Sequence, residues 1–440
     1  MGYTRKLRER QERTGRPVRV GLVGAGQMGS GFVAQLARQT GVTVSVVADV
    51  AIDRAETALT NAGIQDVTVG GEISALAEVI DAGGHAAVAD IDVLTALPVD
   101  IVVECSGVPE VATRVALSAL TAGKDVALMT VEADVTVGLA LAALAESEGR
   151  VYTVCRGDEP VECLKLIEFA EDLGLEVVMA GKGKNNPLRQ GDTPDDLIDE
   201  AAAKGMNPKM LCSFVDGTKT MIEMAALANA ADMELTQRSM IGPEATVETL
   251  AEVFSPQETG GILDRTGVVD YCTGDVAPGV FVIVRSDSEV VSEELRYLKL
   301  GDGPYFALYR PYHLASIEAP LSIAEAIIDG DASLQPVAWR AEVSAIAKRA
   351  LAVGDRIDGI GGFTVYGDAV PAEDAATSNE LPIGLAAGAT LVRDVPEGEP
   401  VRYEDVELDD SQVIVRLRRL QDAMGDAGLD LDAVRELVER

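Results

Sequence analysis

Residues Val18 to Gly29 read VRVGLVGAGQMG, a short apolar strand that runs straight into Gly24-x-Gly26-x-x-Gly29. The spacing suits a dinucleotide site. The first glycine makes a tight turn, the second lets the backbone approach a pyrophosphate, and the third lets helix and strand pack closely. Phosphate then sits at a helix N-terminus, where orphan N–H groups and the macrodipole favour negative charge. A bare GxGxxG is a weak signal, so its context carries the reading. A strand precedes it, a helical run (Ser30 to Arg38) follows, and a second apolar strand, Val42 to Ala48, ends in Asp49. Asp49 lies twenty residues past Gly29, where a carboxylate meets the adenosine ribose. The expected cofactor residues are Gly24, Gly26, Gln27, Met28, Gly29 and Asp49. The competing reading is a flavodoxin-like βαβ unit without a nucleotide.

Cofactor choice draws on two residues. Asp49 favours NAD, because a carboxylate there accepts the ribose 2′-OH and repels a 2′-phosphate. Arg54, five residues later, is placed to pair with such a phosphate, and Asp49 decides less if it turns to cap the helix that begins near Ala51.

The 440 residues are too many for one ordinary core, so two or three domains are expected. The chain is 47% apolar with only 4% aromatics and has no run of eighteen apolar residues, so no membrane span is expected. The opening MGYTRKLRERQERTG is charged, lacks the apolar centre of a signal peptide and reads as a surface helix, which leads us to expect a cytoplasmic protein. Five cysteines, Cys105, Cys155, Cys163, Cys212 and Cys272, are scattered without a CxxC pair and read as buried thiols. The 72 acidic and 37 basic residues leave a net charge near −35, spread along the whole chain. Such acidity resembles the solvated surface of halophilic proteins and disfavours nucleic acid and anionic membranes as partners.

In chain order, strands and helices alternate up to about Cys155, the α/β pattern of a doubly wound, mostly parallel sheet. Helices are expected over Ala51–Ala62, Ile73–Ile80 and Glu110–Ala122, with a buried strand that ends in a small-residue turn over Asp100–Pro109 and a strand over Asp125–Thr130. Ser106 and Gly107, in the small-residue turn after the strand that starts at Asp100, are placed to pass beside the nicotinamide ribose. From Arg156 the texture changes. Helical runs (Val161–Leu173, Asp195–Ala203, Thr218–Ala231) alternate with loops rich in Asp, Gly, Asn and Pro, and Leu173–Lys184 reads as a strand running into GKGKNNP.

Five of the ten lysines, Lys182, Lys184, Lys204, Lys209 and Lys219, fall between positions 182 and 219. A lysine-poor acidic chain that concentrates cations so tightly has a use for them: holding an anionic substrate, or polarising a carbonyl during hydride transfer. Lys204 and Lys209 fit ordinary solvated lysines best. Lys184 and Lys219 are the electrophile candidates, with Lys182, Asn185 and Asn186 as substrate anchors. Among the acids, Glu132 and Asp134 lie just past a strand of the first domain, and Glu132 is a catalytic candidate. Asp158, Glu159 and Glu223 are hard oxygen donors that could hold magnesium or manganese. Glu223 shares a helix face with Lys219.

Four stretches together resemble one oxidoreductase group: TVEADVTVG (Thr130–Gly138), GKGKNNP (Gly181–Pro187), DGTKTMIEMAALANA (Asp216–Ala230) and LGDGPYFALYRPYHLASIEAPLSIAEA (Leu300–Ala326). These are the homoserine-dehydrogenase-like proteins with a C-terminal SAF domain, which include deoxyxylulose-phosphate-reductoisomerase-like enzymes. The resemblance implies an NAD(P)-binding domain, a catalytic and dimerisation domain, and a SAF-type β domain. It also leans towards NADPH and implies a homodimer or higher homo-oligomer. Where true homoserine dehydrogenases carry a lysine in a T-A-N-K motif, this chain has Met129-Thr-Val-Glu132, so homoserine itself is an alternative rather than the expected substrate.

The expected domains are an N-terminal tail over 1–16, a Rossmann domain over 17–155 and a catalytic domain over 156–335. A SAF-like β domain over 336–418 and a final helix over 419–440 complete the chain. Residues 304–328 are expected as a helix packed back on the Rossmann domain, with Tyr305, Phe306, Tyr309, Tyr312 and His313 either lining the cofactor cleft or serving that packing. His313, one of two histidines, is a substrate contact or a structural residue. Segments 349–357 and 393–401 echo each other, each with a glycine turn between apolar residues, and show no catalytic constellation. The expected activity is NAD(P)H-dependent oxidation or reduction of a small anionic hydroxy or keto compound, in one form a reductoisomerase with a metal. A dinucleotide-binding sensor without turnover is the alternative of a different class.

Overall fold

The computed structural model describes residues 2–424 and 428–438. They form two compact units, one of Met1–Asp158, Leu314–Gln335 and Ser411–Arg440, the other of Glu159–His313 and Pro336–Asp410.

The first unit is built on seven parallel strands. In chain order they are β1 (Val18–Val23), β2 (Val42–Ala48), β3 (Val67–Val69), β4 (His85–Val88), β5 (Ile101–Glu104), β6 (Asp125–Leu128) and β7 (Tyr152–Val154). Their order across the sheet is β3-β4-β2-β1-β5-β6-β7. β1, β2 and β5 are apolar along nearly their whole length because a central parallel strand is covered on both faces. Strand order reverses between β1 and β5, which opens a crevice at their carboxyl ends, where ligands of such sheets bind. β3 and β4 have no counterpart among the strands expected from the sequence. They are three and four residues long, too short to show a period; β4 is held by its pairing with β2, and β3 by its pairing with β4.

The helix after β1 spans Gln27–Leu36, so it begins inside the glycine turn rather than at Ser30. The N-terminal surface helix is Tyr3–Thr14; it buries Leu7, and its Tyr3 hydroxyl and Lys6 ammonium reach Asp329 at 2.6 and 2.7 Å. The closing helix Val413–Asp422 also belongs to this unit, its first N–H groups at Val413 and Ile414 capped by the Glu110 carboxylate at 2.9 and 2.8 Å. The final helix runs Leu431–Val438, and residues 439 and 440 lie outside the described residues.

The second unit has a mixed sheet of β8 (Glu176–Gly183), β9 (Glu234–Leu235), β10 (Val268–Cys272), β11 (Val280–Arg285) and β12 (Tyr305–Arg310), in the order β12-β11-β8-β10-β9. β8 pairs parallel with β10 and antiparallel with β11, which makes it the central strand. An antiparallel ribbon of β13 (Ala341–Ala347) and β14 (Val365–Pro371) stands beside the helix Thr218–Ala231. It is tied to that helix by Asn229, whose amide donates to the Ala341 carbonyl at 3.1 Å and accepts from the Arg340 and Ala341 N–H groups at 2.8 and 2.9 Å. The two echoing segments of the C-terminal region meet each other through an antiparallel bridge between Leu351 and Val395.

The expected helix over 304–328 is not one element. Residues Tyr305–Arg310 are the edge strand β12 of the second unit, while Leu314–Gln335 belong to the first, where Ala319, Ile323 and Ala324 enter its core. Phe306 is buried, and Tyr305 and Tyr309 cover the core around Phe254 and Phe281.

The glycine turn separates packing from binding. A Cβ on Gly29 would stand 2.0 Å from the Gly24 carbonyl oxygen, a backbone atom that cannot step aside, whereas a Cβ on Gly26 meets nothing within 4 Å. Gly29→Ala is expected to cost about 1–3 kcal/mol of stability or more. Gly26→Ala is expected to stay within about 1 kcal/mol of wild type. Urea denaturation of both variants checks the contrast.

Candidate functional site

In the first unit the carboxyl ends of β1 and β5 converge. Gly24 has a φ of +93°, and a Cβ there would lie 2.7 Å from the Cys105 carbonyl oxygen, so only glycine lets the two turns meet. Beyond it, Gly26, Gln27 and Met28 are exposed, and the helix that starts at Gln27 has no side-chain cap on its N-terminal N–H groups. Open space over Gly26 and uncapped donors form a cradle that fits a pyrophosphate. Asp49 uses both oxygens on the backbone, Oδ2 accepting from Ala25 N at 2.8 Å and Oδ1 from Ala51 N at 2.9 Å. It therefore pins the glycine turn and the start of the next helix at once. Arg54 is exposed in the first turn of the helix Ile52–Asn61, with no side-chain hydrogen bond or ion pair among the described residues.

The turn after β5 is held from below. Gly107 N donates to Thr130 Oγ1 at 3.0 Å, and Ser106 N donates to Glu104 Oε1 at 2.6 Å. Glu104 is fully buried, and burial pushes its carboxyl up to about 7, with the Ser106 hydrogen bonds pulling the other way and the Glu132 charge adding to the rise. Sequence reasoning missed Glu104, although an acid closing the apolar run IVVE was a visible signal. Glu132 sits half-buried in the first turn of the helix Val131–Glu148. Asp134 points into the core, where it accepts from the Tyr152 hydroxyl at 2.8 Å and burial raises its carboxyl to about 7.

In the second unit the site is built on β8. A Cβ on Gly181 would lie 2.1 Å from the Asp270 carbonyl oxygen, and one on Gly183 would lie 2.3 Å from Ala277 N, so both glycines are demanded by close backbone approach. The strand period of two sends Lys182 and Lys184 together to the opposite face. Both are nearly inaccessible, at 6% and 5% relative exposure.

Their surroundings differ. The Lys182 ammonium donates to Glu159 Oε1 at 2.7 Å and to Glu223 Oε2 of the helix Thr218–Ala231. Burial alone would lower its proton affinity, but the two carboxylates more than offset that and hold it well above the ordinary lysine range. Lys184 donates to the Phe214 carbonyl at 2.7 Å, and no carboxylate among the described residues lies within ion-pair reach of it. Burial first, and the neighbouring Lys182 charge second, bring it down to about 8.

Lys219 stands one helical turn before Glu223, with 3.9 Å between its ammonium and Glu223 Oε1. His313 Nε2 lies 3.3 Å from Glu159 Oε1, a partner that the sequence did not show. Asn185 and Asn186 follow in the loop, exposed and half-buried. Lys204 is bridged to Glu200 on the surface, and Lys209 donates to the Asp358 carbonyl. The structure brings together Glu159, Lys182, Lys184, Lys219, Glu223 and His313. Lys182, expected as a substrate anchor, has its charge engaged by two carboxylates, and that charge opposes protonation of Lys184. Asp158 closes the first unit and is covalently joined to Glu159.

A doubly wound parallel sheet with an open glycine turn at its strand ends is an architecture that binds dinucleotides. Three family models match consecutive stretches. Residues 24–154 match the homoserine dehydrogenase NAD-binding domain, residues 157–319 the catalytic domain of oxidoreductase DRL, and residues 342–407 the SAF domain. The chain is an NAD(P)-dependent oxidoreductase that combines these three domains. No curated protein matches it. Among solved structures, a probable dehydrogenase from Thermotoga maritima is 13% identical with a TM-score of 0.42, covering 73% of this chain and 91% of its own. The myo-inositol dehydrogenase from Lactobacillus casei, in complex with NAD(H) and myo-inositol, is 18% identical with a TM-score of 0.37, covering 66% and 74%. The scyllo-inositol dehydrogenase from the same organism is 12% identical with a TM-score of 0.38, covering 67% and 76%. These distant likenesses carry nothing about substrate. No described helix is long and apolar enough to cross a membrane.

The two interior acids make stability depend on pH. Glu104 and Asp134 bind their protons more tightly folded, at about 7, than at their ordinary values of 4.5 and 3.8. Their contribution is full below those lower values and is lost as pH rises to about 7. Glu104→Gln and Asp134→Asn keep the acceptor oxygen and remove the charge. Each is expected to flatten that decline, by on the order of 3 kcal/mol at pH 8, read from urea midpoints between about pH 4 and pH 8.

Proposed function

We propose that the chain interconverts a hydroxyl and a carbonyl on a small anionic substrate. The first unit binds NAD(P) at the glycine turn, and Lys184 exchanges the substrate's proton. The observation that carries this reading is the buried Lys184 ammonium, without a carboxylate in ion-pair reach among the described residues and brought to about 8 by burial and by Lys182. An amine so placed is protonated at neutral pH yet gives its proton up readily, as a group serving a developing alkoxide must. Lys219 offers the second cation to the substrate anion, with Asn185, Asn186 and His313 as hydrogen-bonding contacts and Glu132 as the acidic group of the first unit. The cofactor, when bound, supplies the hydride; the chain's own residues orient the substrate, exclude water and move the proton.

The reductoisomerase form of this reading needs a divalent ion on Asp158, Glu159 and Glu223. Glu159 and Glu223 already share the Lys182 ammonium, so a metal there must displace a built-in cation, and no step is written through it. Activity that persists with chelator supports simple dehydrogenation. Activity lost to chelator and restored by magnesium or manganese supports the reductoisomerase form. Cofactor binding without turnover of any anionic hydroxy or keto compound supports a sensor.

For the cofactor, both forms are proposed to bind, with NADP preferred. Asp49 is engaged by two backbone N–H groups and Arg54 has no partner among the described residues, which leaves the arginine for a 2′-phosphate. Arg54→Ala is expected to weaken NADPH binding by about five- to a hundred-fold, the equivalent of about 1–3 kcal/mol, with NADH nearly unchanged. Fluorescence titration with both cofactors checks this, and an equal loss for both assigns Arg54 to the fold.

For Lys184, the base form is needed to oxidise an alcohol and the acid form to reduce a carbonyl. The rate of oxidation is therefore expected to rise through about pH 8 and that of reduction to fall. Lys184→Met is expected to lower kcat at least about a hundredfold and to erase that limb of both profiles, with cofactor affinity retained.

A further inference from the structure

The ammonium of Lys348, just past β13 in the SAF domain, is buried to 1% side-chain exposure and lies 2.9 Å from Asp216 Oδ2. It also donates to the carbonyls of Asp192 at 2.7 Å and Gly362 at 2.9 Å, and touches Cys212 Sγ at 3.2 Å. Its partners outside the SAF domain bracket the lysine site. Asp192 lies in the loop that begins at Lys184 and carries Asn185 and Asn186. Cys212 and Asp216 flank Phe214, whose carbonyl receives the Lys184 ammonium. The other oxygen of Asp216, Oδ1, accepts from Thr218 N at 2.9 Å at the start of the helix that bears Lys219 and Glu223. A second tie from the SAF domain reaches the same point, Gly367 N of β14 donating to Thr218 Oγ1 at 2.8 Å.

We propose that Lys348 is a positioning residue for Lys184: it fixes the end of the helix Pro208–Val215, which supplies the acceptor of the Lys184 ammonium, and it offsets the Asp216 carboxylate whose charge acts on that ammonium. This inference rests on Lys184 as the proton-exchanging group of the proposed reaction, and it gives the SAF domain a part in the chemistry without a contact to substrate. The charges acting on Lys184 are Lys182, which opposes its protonation, and Asp216 and Glu223, which favour it. Neutralising Lys348 leaves Asp216 unopposed, and Lys184 then holds its proton more tightly.

The test is a pH titration of the full chain labelled with 13Cε-lysine, whose ten lysines give a countable spectrum, with Lys184 assigned by its loss in Lys184→Met. Lys348→Met is expected to raise the Lys184 midpoint by about one pH unit, Asp216→Asn to lower it by a similar amount, and the double variant to return it to within about half a unit of wild type. The amide of Asp216→Asn still accepts from Thr218 N, so that variant keeps the helix start. A Lys184 midpoint unmoved in a folded Lys348→Met protein overturns the proposal. Should Lys348→Met not fold, an unmoved midpoint in Asp216→Asn overturns it equally. Turnover distinguishes the two readings. Full activity in Lys184→Met defeats the proposed reaction while the titration still judges Lys348, and where activity depends on Lys184, the pH limb of kcat moves with the titration midpoint in each variant.

Discussion

Two ammonium groups lie two residues apart on one face of a buried strand, and only one of them has carboxylates in ion-pair reach among the described residues. That unequal sharing of charge is the constraint on which the second unit's chemistry depends. Lys182 is tolerated in the interior because Glu159 and Glu223 reach it from two different helices, and the same pairing keeps it charged. Lys184, with a backbone carbonyl as its acceptor, feels the full penalty of burial and the field of its neighbour. A strand with ordinary side chains in place of Gly181 and Gly183 could not sit so close to the backbones beside it, and the lysines could not be held so deep.

The first unit solves a different problem, which is to leave one place open in an otherwise close-packed turn. Gly24 and Gly29 are closed in by neighbouring backbone and Gly26 by nothing, so the glycines of one motif serve two different ends, close packing and open space. Asp49 adds stiffness by accepting from the turn and from the next helix together. Glu104 does the same for the turn after β5, although its carboxyl must then be buried away from water. Rigid donors around an open cradle are what anion recognition needs, because little ordering remains to oppose binding.

Legibility in the sequence followed the range of the interaction. The helix Thr218–Ala231 appears with the expected ends, since its apolar pattern, its glycine before and its aspartate after are all local. The strands β3 and β4 were invisible because three or four residues carry no period and their pairing partner lies elsewhere in the chain. The stretch 304–328 reads as one helix because its aromatics and aliphatics fall at helical spacing. In the fold its first part completes a sheet edge through pairing with β11, a long-range ladder that overrides local preference.

The residues by themselves determined the parallel α/β unit, the phosphate cradle and the gathering of lysines between 182 and 219, because each depends on spacing along a few dozen residues. Tertiary structure alone decided which of those lysines is paired, which is brought to about 8, and that Asp134 looks inward while His313 finds Glu159. It also decided that a lysine of the SAF domain, 132 positions after Asp216, comes to rest 2.9 Å from that carboxylate. Burial and charge pairing are set by groups far apart in sequence, and the proton affinity of a side chain is a property of what surrounds it rather than of its neighbours along the chain.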